Sequence, residues 1–290
     1  MEGLGLRRPP AALLELARAA LKEDVGRGDV TSRATIAEES RARARFVARR
    51  ALVVSGLEVA RAVFFEAGGE EEVSFAALAS EGDRVPAGST LAEVEGLARP
   101  IFAAERVSLN LLMRLSGIAT LTSRYVEAVA GTGARIADTR KTTPGLRLPE
   151  KAAVRAGGGM NHRLGLDDGI LIKDNHLVLI GDVTEAVRRA RIKAPHLLKI
   201  EVEVEGLEAL KEALLAGADA ILLDNMSPEE VRRCVDLVRE GSPGVLVEVS
   251  GGVDLQNVRS YAEAGPDLVS VGALTHSAPA ADISLEVEPC

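Results

Sequence analysis

Tryptophan is missing from this sequence, and aromatic residues make up only 2% of it. Such a chain offers no platform on which nucleic-acid bases could stack. Cysteine is nearly missing too. Cys234 lies in a stretch that reads as helical and Cys290 is the last residue. Two cysteines so placed exclude a disulfide framework or a cysteine metal cluster, and they fit a reducing, cytoplasmic compartment. Four histidines occur. His162 and His176 stand too far apart for a helical pair, so no transition-metal centre is expected. No apolar run approaches the roughly 18–20 residues that span a bilayer. The amino-terminal segment has two arginines, then a helix carrying Glu15, Lys22, Glu23 and Asp24. It reads as an amphipathic surface helix and not as a secretory signal. An excess of positive charge is also lacking, since the formal net charge is -8.

Against that acidic background one stretch is dense in cations. Between Ile136 and His176 lie Arg140, Lys141, Arg147, Lys151, Arg155, Arg163 and Lys173, with His162 and His176. A local cluster suits a small anionic ligand, whereas a nucleic-acid partner more often leaves a basic field over a whole face. Arg147, Lys151 and Arg155 fall at helical spacing, and for them a solvated helix face is an equal reading. Arg140 and Lys173 each follow an apolar, strand-like run.

The 290 residues, 47% hydrophobic and 27% charged, suit a soluble globular chain of one large domain or two ordinary ones. Residues 10–24 read as a helix. Glu23–Ser32 reads as a glycine-broken turn, because a phosphate loop would need a lysine and a preceding strand. Alternation predicts strands at 42–50 and 51–56, a helix at 57–67, and two strands joined by a Gly/Pro turn within 73–96. These make an antiparallel sheet with helices. Residues 99–131 read as a long helical connector between domains, broken near Ser116-Gly117, and Arg106 lies in it. From residue 135 short apolar runs alternate with amphipathic helices. The strands are 134–139, 169–173, 197–204, 220–224, 245–250 and 267–272; helices fall near 149–157, 182–192, 206–216, 228–240 and 254–264. The last four strands begin roughly 22–25 residues apart, the length of a βα unit. Strands this apolar are buried on both faces. Six such units predict an α/β barrel short of the usual eight, with an open doubly wound sheet as the competing topology.

In parallel α/β folds the chemistry sits at the carboxyl ends of strands. Here those ends are Asp138-Thr139-Arg140-Lys141, Lys173-Asp174-Asn175-His176, Asp224-Asn225, Ser250-Gly251-Gly252 and Val271-Gly272-Ala273, while Glu201 and Glu203 share one face of the third strand. Glycines on the last two strands, with the Ser250 hydroxyl, predict a phosphate seat. His276 follows closely enough to reach it, and His196 reads as structural. Glu203 and Asp224 would stabilise an oxocarbenium-like sugar, hold Mg²⁺ with pyrophosphate, or simply pair with lysines.

These segments occur together, in order, in one family. DTRKTTPGLR, NHRLGLDDGILIKDNH, KIEVEVEG, ILLDN, EVSGG and SVGALTHS, with EDVGRGDVTS and ERVSLNLLMRLSGIAT upstream, resemble the quinolinate phosphoribosyltransferases over nearly the whole chain. The resemblance implies a type II phosphoribosyltransferase fold: an N-terminal α/β sandwich (1–115), a six-stranded incomplete α/β barrel (116–275), and a tail (276–290) packing back on the first domain. It implies a homodimer with shared sites, sometimes assembled further into a hexamer, with Arg106 reaching the neighbouring subunit's site. It implies the Mg²⁺-dependent reaction of quinolinate with phosphoribosyl pyrophosphate (PRPP), giving nicotinate mononucleotide, pyrophosphate and carbon dioxide in de novo NAD synthesis, with no organic cofactor. Quinolinate would be held by Arg106, Thr139, Arg140, Lys141, His162, Arg163 and Lys173. PRPP would meet Lys141, Lys173, Glu203, Asp224, Ser250, Gly251, Gly252, Val271, Gly272, Ala273 and His276. Lys141, Lys173, Glu203 and Asp224 would be catalytic, and Glu203 and Asp224 would hold Mg²⁺, directly or through water. The rival readings are a ModD-like paralogue, the more distant nicotinate phosphoribosyltransferases, and a phosphosugar sensor without turnover.

Overall fold

The computed structural model describes residues 8–290, apart from the Glu70 side chain; Arg7 and the rest of the first seven residues of the expected 1–115 domain lie outside it. The first helix, α1 (Ala11–Val25), buries Leu14, Ala17 and Leu21, three and four residues apart. A second, α2 (Val30–Thr35), starts where the sequence reading had only a turn. The Asp29 carboxylate accepts the Ser32 amide N–H at 3.0 Å and caps it. Strand β1 (Arg41–Ala48) turns Ala42, Ala44 and Phe46 inward and Arg41 and Arg43 outward. Then come β2 (Leu52–Val53), α3 (Leu57–Glu72), β3 (Val73–Ala77), β4 (Arg84–Val85) and β5 (Thr90–Leu97). The 73–96 stretch thus holds three strands, not two: β4 leaves the main sheet to pair antiparallel with β2.

The 31-residue helix α4 (Ala98–Ala128) runs unbroken through Ser116-Gly117. Gly117 is there for close approach. A Cβ at that position would overlap the Pro279 carbonyl oxygen. Ser116 Oγ meanwhile donates to Ser55 O at 3.0 Å and accepts the Ser55 N–H at 3.1 Å. The expected break mistook a packing glycine for a helix breaker.

Beyond α4 the order is β6 (Arg135–Ala137), α5 (Arg147–Ala156), β7 (Ile170–Ile172), α6 (Asp174–Ile180), α7 (Val183–Lys193), β8 (Ile200–Val204), α8 (Leu207–Leu215), β9 (Ala220–Asp224), α9 (Pro228–Gly241), β10 (Leu246–Ser250), α10 (Val258–Glu263), β11 (Leu268–Ser270), α11 (Ala273–His276) and β12 (Ile283–Pro289). Contacts divide the chain into two compact units: residues 1–121, 144–157 and 278–290, and residues 122–143 and 158–277. In the first, an antiparallel sheet of order β12-β1-β5-β3 carries Phe46, Phe64 and Phe75 in mutual contact, with centroids 5.9–6.2 Å apart. The returning α5 brings a fully buried Glu150 to Arg114, 2.9 Å away.

The second unit holds six strands in the order β6-β11-β10-β9-β8-β7, and every pairing is parallel. From β7 to β11 the sheet winds in one direction, and the first strand pairs with the last. A doubly wound sheet would reverse direction at a switch point; this order is that of a barrel left open between β6 and β7. Alternation explains its core. Ile200, Val202 and Val204 face the helices, with Ile221, Leu223, Val247 and Val249 beside them, and α7–α9 cover them with Val187, Leu210, Val231, Cys234 and Val238. Each such side chain contributes about 1.5–3 kcal/mol on burial.

Candidate active site

Because strand side chains alternate, the residues that do not face the helices face the barrel interior. On β8 these are Glu201 and Glu203; on β10 they are Leu246, Glu248 and Ser250. A cavity of about 410 Å³ opens at the carboxyl ends of the strands. It brings together Thr139, Arg140 and Lys141 after β6, His162 and Arg163, Lys173 after β7, Glu203, Asp224, and Ser250-Gly251-Gly252.

The cationic side is built by one long loop. Met160 bridges Ala137 in parallel, so residues 160–163 run beside β6. The buried Asp138 carboxylate then accepts the His162 amide at 2.9 Å and the Asn161 side-chain amide at 2.6 Å. Arg163 is held by a donation from Nη1 to Gly169 O at 3.2 Å. Burial, then the facing Arg140 guanidinium, pull the Arg163 pKa below its usual value. Two guanidiniums lining one cavity suit a carboxylate ligand, which a planar guanidinium grips at two points. Burial works against the His162 imidazolium, but the hydrogen bond to Glu201 and the charge of Glu248 outweigh it, and the His162 pKa is raised.

Opposite, the ends of β9 and β10 interlock. Asn225 adopts φ 53, the one positive φ among described non-glycine residues. Its amide donates to Ser250 O at 2.9 Å and its side chain to Asp224 Oδ2 at 2.6 Å. Gly251 sits at φ +92 with Asn225 against its Cα, where a Cβ would overlap the Asn225 side chain. The glycine leaves backbone accessible at the cavity. Glu203 forms an ion pair with Lys173, one of the fates considered for it from sequence.

Other expected residues fall elsewhere. Val271 is buried; Gly272 leaves room for the Lys141 side chain and the His276 ring, both within 3.4 Å of where its Cβ would stand. Thr275 Oγ1 donates to Lys141 O at 2.9 Å, tying α11 to the Arg140-Lys141 turn. Ala273 opens α11. Arg106 is exposed on α4 in the other unit. Arg147, Lys151 and Arg155 also belong to that unit, and Lys151 is only 1% exposed, so it is not a solvated charge. His176 turns back, its Nδ1 accepting the Lys173 amide at 3.0 Å. Glu248 and Ser270, absent from the sequence expectations, line the cavity. For Glu248 a signal existed: an acid in the middle of a strand otherwise apolar on both sides.

Two family profiles match this chain: Quinolinate phosphoribosyl transferase, N-terminal domain, over residues 29–116, and the C-terminal domain over 118–286. The chain belongs to the quinolinate phosphoribosyltransferase family. It is 44% identical over 271 residues to the nicotinate-nucleotide pyrophosphorylase [carboxylating] of Mycobacterium leprae, covering 93% of this chain and 95% of that one. It is 38% identical over 288 residues to the human protein of that name, covering 99% and 95%. A crystal structure of NadC from Streptococcus pyogenes superposes with a TM-score of 0.89 at 41% identity, covering 95% and 96%. The N-terminal sandwich and the six-stranded incomplete barrel are therefore those of the quinolinate phosphoribosyltransferases. No helix among the described residues is long and apolar enough to cross a membrane.

Proposed function

We propose that this chain transfers the phosphoribosyl group of PRPP to quinolinate and releases one carboxylate as carbon dioxide, yielding nicotinate mononucleotide and pyrophosphate in de novo NAD synthesis. The observation that carries this is the convergence of Arg140, Arg163, His162 and Lys173 on one side of the barrel mouth, across from Ser250-Gly251-Gly252. Curated relatives with the carboxylating name, at 38–44% identity over nearly the full length, support it over a ModD-like paralogue or a sensor.

The residue types fit the chemistry. Quinolinate carries two carboxylates on adjacent ring carbons, and planar guanidiniums grip carboxylates at two points. Arg140 and Arg163 take this role, with Thr139, His162, Lys141 and Lys173 completing the polar wall and Arg106 arriving from a neighbouring subunit of a dimer. Ser250, Gly251 and Gly252, with Val271, Gly272, Ala273 and His276 beside Lys141, seat the donor's phosphate groups. As the pyridine nitrogen attacks the anomeric carbon, positive charge develops on the sugar. The carboxylates of Glu203 and Asp224 offset it. The Lys173–Glu203 pair opens as ligands enter, freeing both charges for them. The product nitrogen is cationic, so the neighbouring carbon can lose its carboxylate and keep the electron pair. Positioning and electrostatics carry the rate, without a covalent enzyme intermediate. A Mg²⁺ ion accompanying PRPP prefers oxygen ligands, and Glu203 and Asp224 offer carboxylate oxygens on the PRPP side. When bound, it shields the pyrophosphate charge. The cytoplasm is the proposed compartment.

The test is release of labelled carbon dioxide from carboxyl-labelled quinolinate with PRPP and Mg²⁺. Stoichiometric release with pyrophosphate is expected, and nicotinate should not substitute. Turnover of nicotinate with no carbon dioxide from quinolinate would reverse the assignment.

A further inference from the structure

Below the cationic wall, three ionisable groups meet. His162 Nε2 lies 3.2 Å from Glu201 Oε2 and 3.5 Å from Glu248 Oε1. Glu248 is 2% exposed, and its Oε1 accepts no hydrogen bond. One nitrogen and two carboxylates within 4.8 Å of one another have the composition of a cation site. The far side of the ring argues against that. His162 Nδ1 accepts the Arg163 amide N–H at 2.7 Å. In the neutral ring an accepting Nδ1 puts the proton on Nε2, and in the imidazolium that the raised pKa favours Nε2 is protonated as well, so in either form it has no lone pair for a metal.

The cluster is instead built to hold protons. A single N–H faces two carboxyl groups, and two carboxylates this close do not both ionise readily. The groups facing Glu248 are Glu201 from β8, His162 from the 160–168 loop, Asp138 after β6 and Ser270 on β11. Burial foremost, with the charges of Glu201 and Asp138, raises its pKa, while His162 and the Ser270 hydroxyl oppose them; the balance lies at about 7. Near neutral pH a substantial share of Glu248 is therefore a neutral acid, and it lines the same cavity as Arg140 and Arg163.

The reaction proposed above needs such an acid. When the carboxylate leaves as carbon dioxide, the carbon–carbon bond breaks and its electron pair stays on the ring carbon beside the cationic nitrogen. That pair must take up a proton. We propose that Glu248 is the source of the proton that replaces the lost carboxylate, delivered directly or through His162. In the second route the Nε2 proton goes to carbon and the Glu248 proton replaces it on the ring. Either way Glu248 ends as a carboxylate and regains its proton from water. This inference rests on the decarboxylating assignment, and Glu201 acts in it as a positioning residue for the His162 ring.

The experiment is a single turnover with quinolinate, PRPP and Mg²⁺, following pyrophosphate and carbon dioxide separately. Wild type should release them in equal amounts. Glu248→Gln keeps the shape and cannot donate. It should still release pyrophosphate but release carbon dioxide about 100-fold more slowly, the scale of a general acid, so that the ribosylated diacid accumulates. In wild type the rate of carbon dioxide release should fall as pH rises through about 7, where the acid is lost; Glu248→Gln should lack that limb. Glu201→Gln removes a charge that raises the Glu248 pKa, so it should move the limb to lower pH. The idea is overturned if Glu248→Gln releases both products in an unchanged ratio, or if Glu201→Gln leaves the limb in place. It is equally overturned if Mn²⁺ or Zn²⁺ alone raises the melting temperature of wild type but not of Glu248→Gln, since the cluster would then be a metal site. Wild type that frees no carbon dioxide from quinolinate defeats the parent assignment instead.

Discussion

Arg140 and Arg163 line the same cavity, and the charge of Arg140 helps pull the Arg163 pKa below its usual value. An anion taken up there can be gripped by both, which leads to the first prediction. Arg140→Ala should leave circular dichroism and melting temperature near wild type while raising the KM for quinolinate by about 10–100-fold, the equivalent of one charge-assisted hydrogen bond of roughly 1.5–3 kcal/mol. Unchanged kinetics would remove Arg140 from the binding wall. A second prediction concerns Glu248 and stability. Its pKa is raised on folding to about 7, so the folded state binds more protons than the unfolded state above the ordinary carboxyl range. The cost of burying it therefore begins as pH rises through the unfolded pKa and is complete above about pH 7. Glu248→Gln should accordingly raise the melting temperature more at pH 8 than at pH 5, and a gain that does not depend on pH would contradict this. That Arg140, Lys173 and Asp224 gather at one cavity was legible because each ends or follows a strand. Glu248 was legible only as an acid out of place in an apolar strand: its meaning depends on burial and on carboxylates from other strands, which no local pattern encodes.

Glycine shows what was and was not legible among the elements. Period-2 and period-3.6 patterns located all six barrel strands within a few residues, because those periods are local consequences of backbone geometry. The same local reading put a break at Gly117 and missed α2 and α6. Gly117 faces the Pro279 carbonyl, more than 160 residues away in sequence, and a contact of that range leaves no periodic trace. Gly117→Ala should therefore destabilise the fold by about 1–3 kcal/mol through overpacking, although alanine is the better helix former. A stabilised variant in thermal melts would show that the close approach is not tight. Gly251→Ala meets both a positive φ and the Asn225 side chain. It should weaken PRPP binding by about tenfold or more and leave the quinolinate affinity of the free enzyme within about twofold. Equal losses for both ligands would instead indicate general distortion of the barrel mouth.

For the whole molecule, the strand order matters most. Winding in one direction and then pairing the first strand with the last makes a curved sheet whose interior-facing residues converge at one end. Arg106, exposed on α4, gives the prediction at this scale. Mixtures of Arg106→Ala with Asp224→Ala should recover activity if subunits complete one another's sites, since a mixed dimer would hold one intact site; mixtures no more active than either variant alone would argue for self-contained subunits. By itself the sequence determined the six barrel strands, the helices that alternate with most of them, and which polar residues end those strands, because all of these follow from short-range periodicity and residue chemistry. Only the tertiary structure decided that the barrel stays open between β6 and β7, that Lys151 is buried in the other unit rather than at the cationic wall, and that Glu248 meets His162. Those outcomes depend on pairings between residues far apart in the chain, which burial and strand order select and no local stretch can specify.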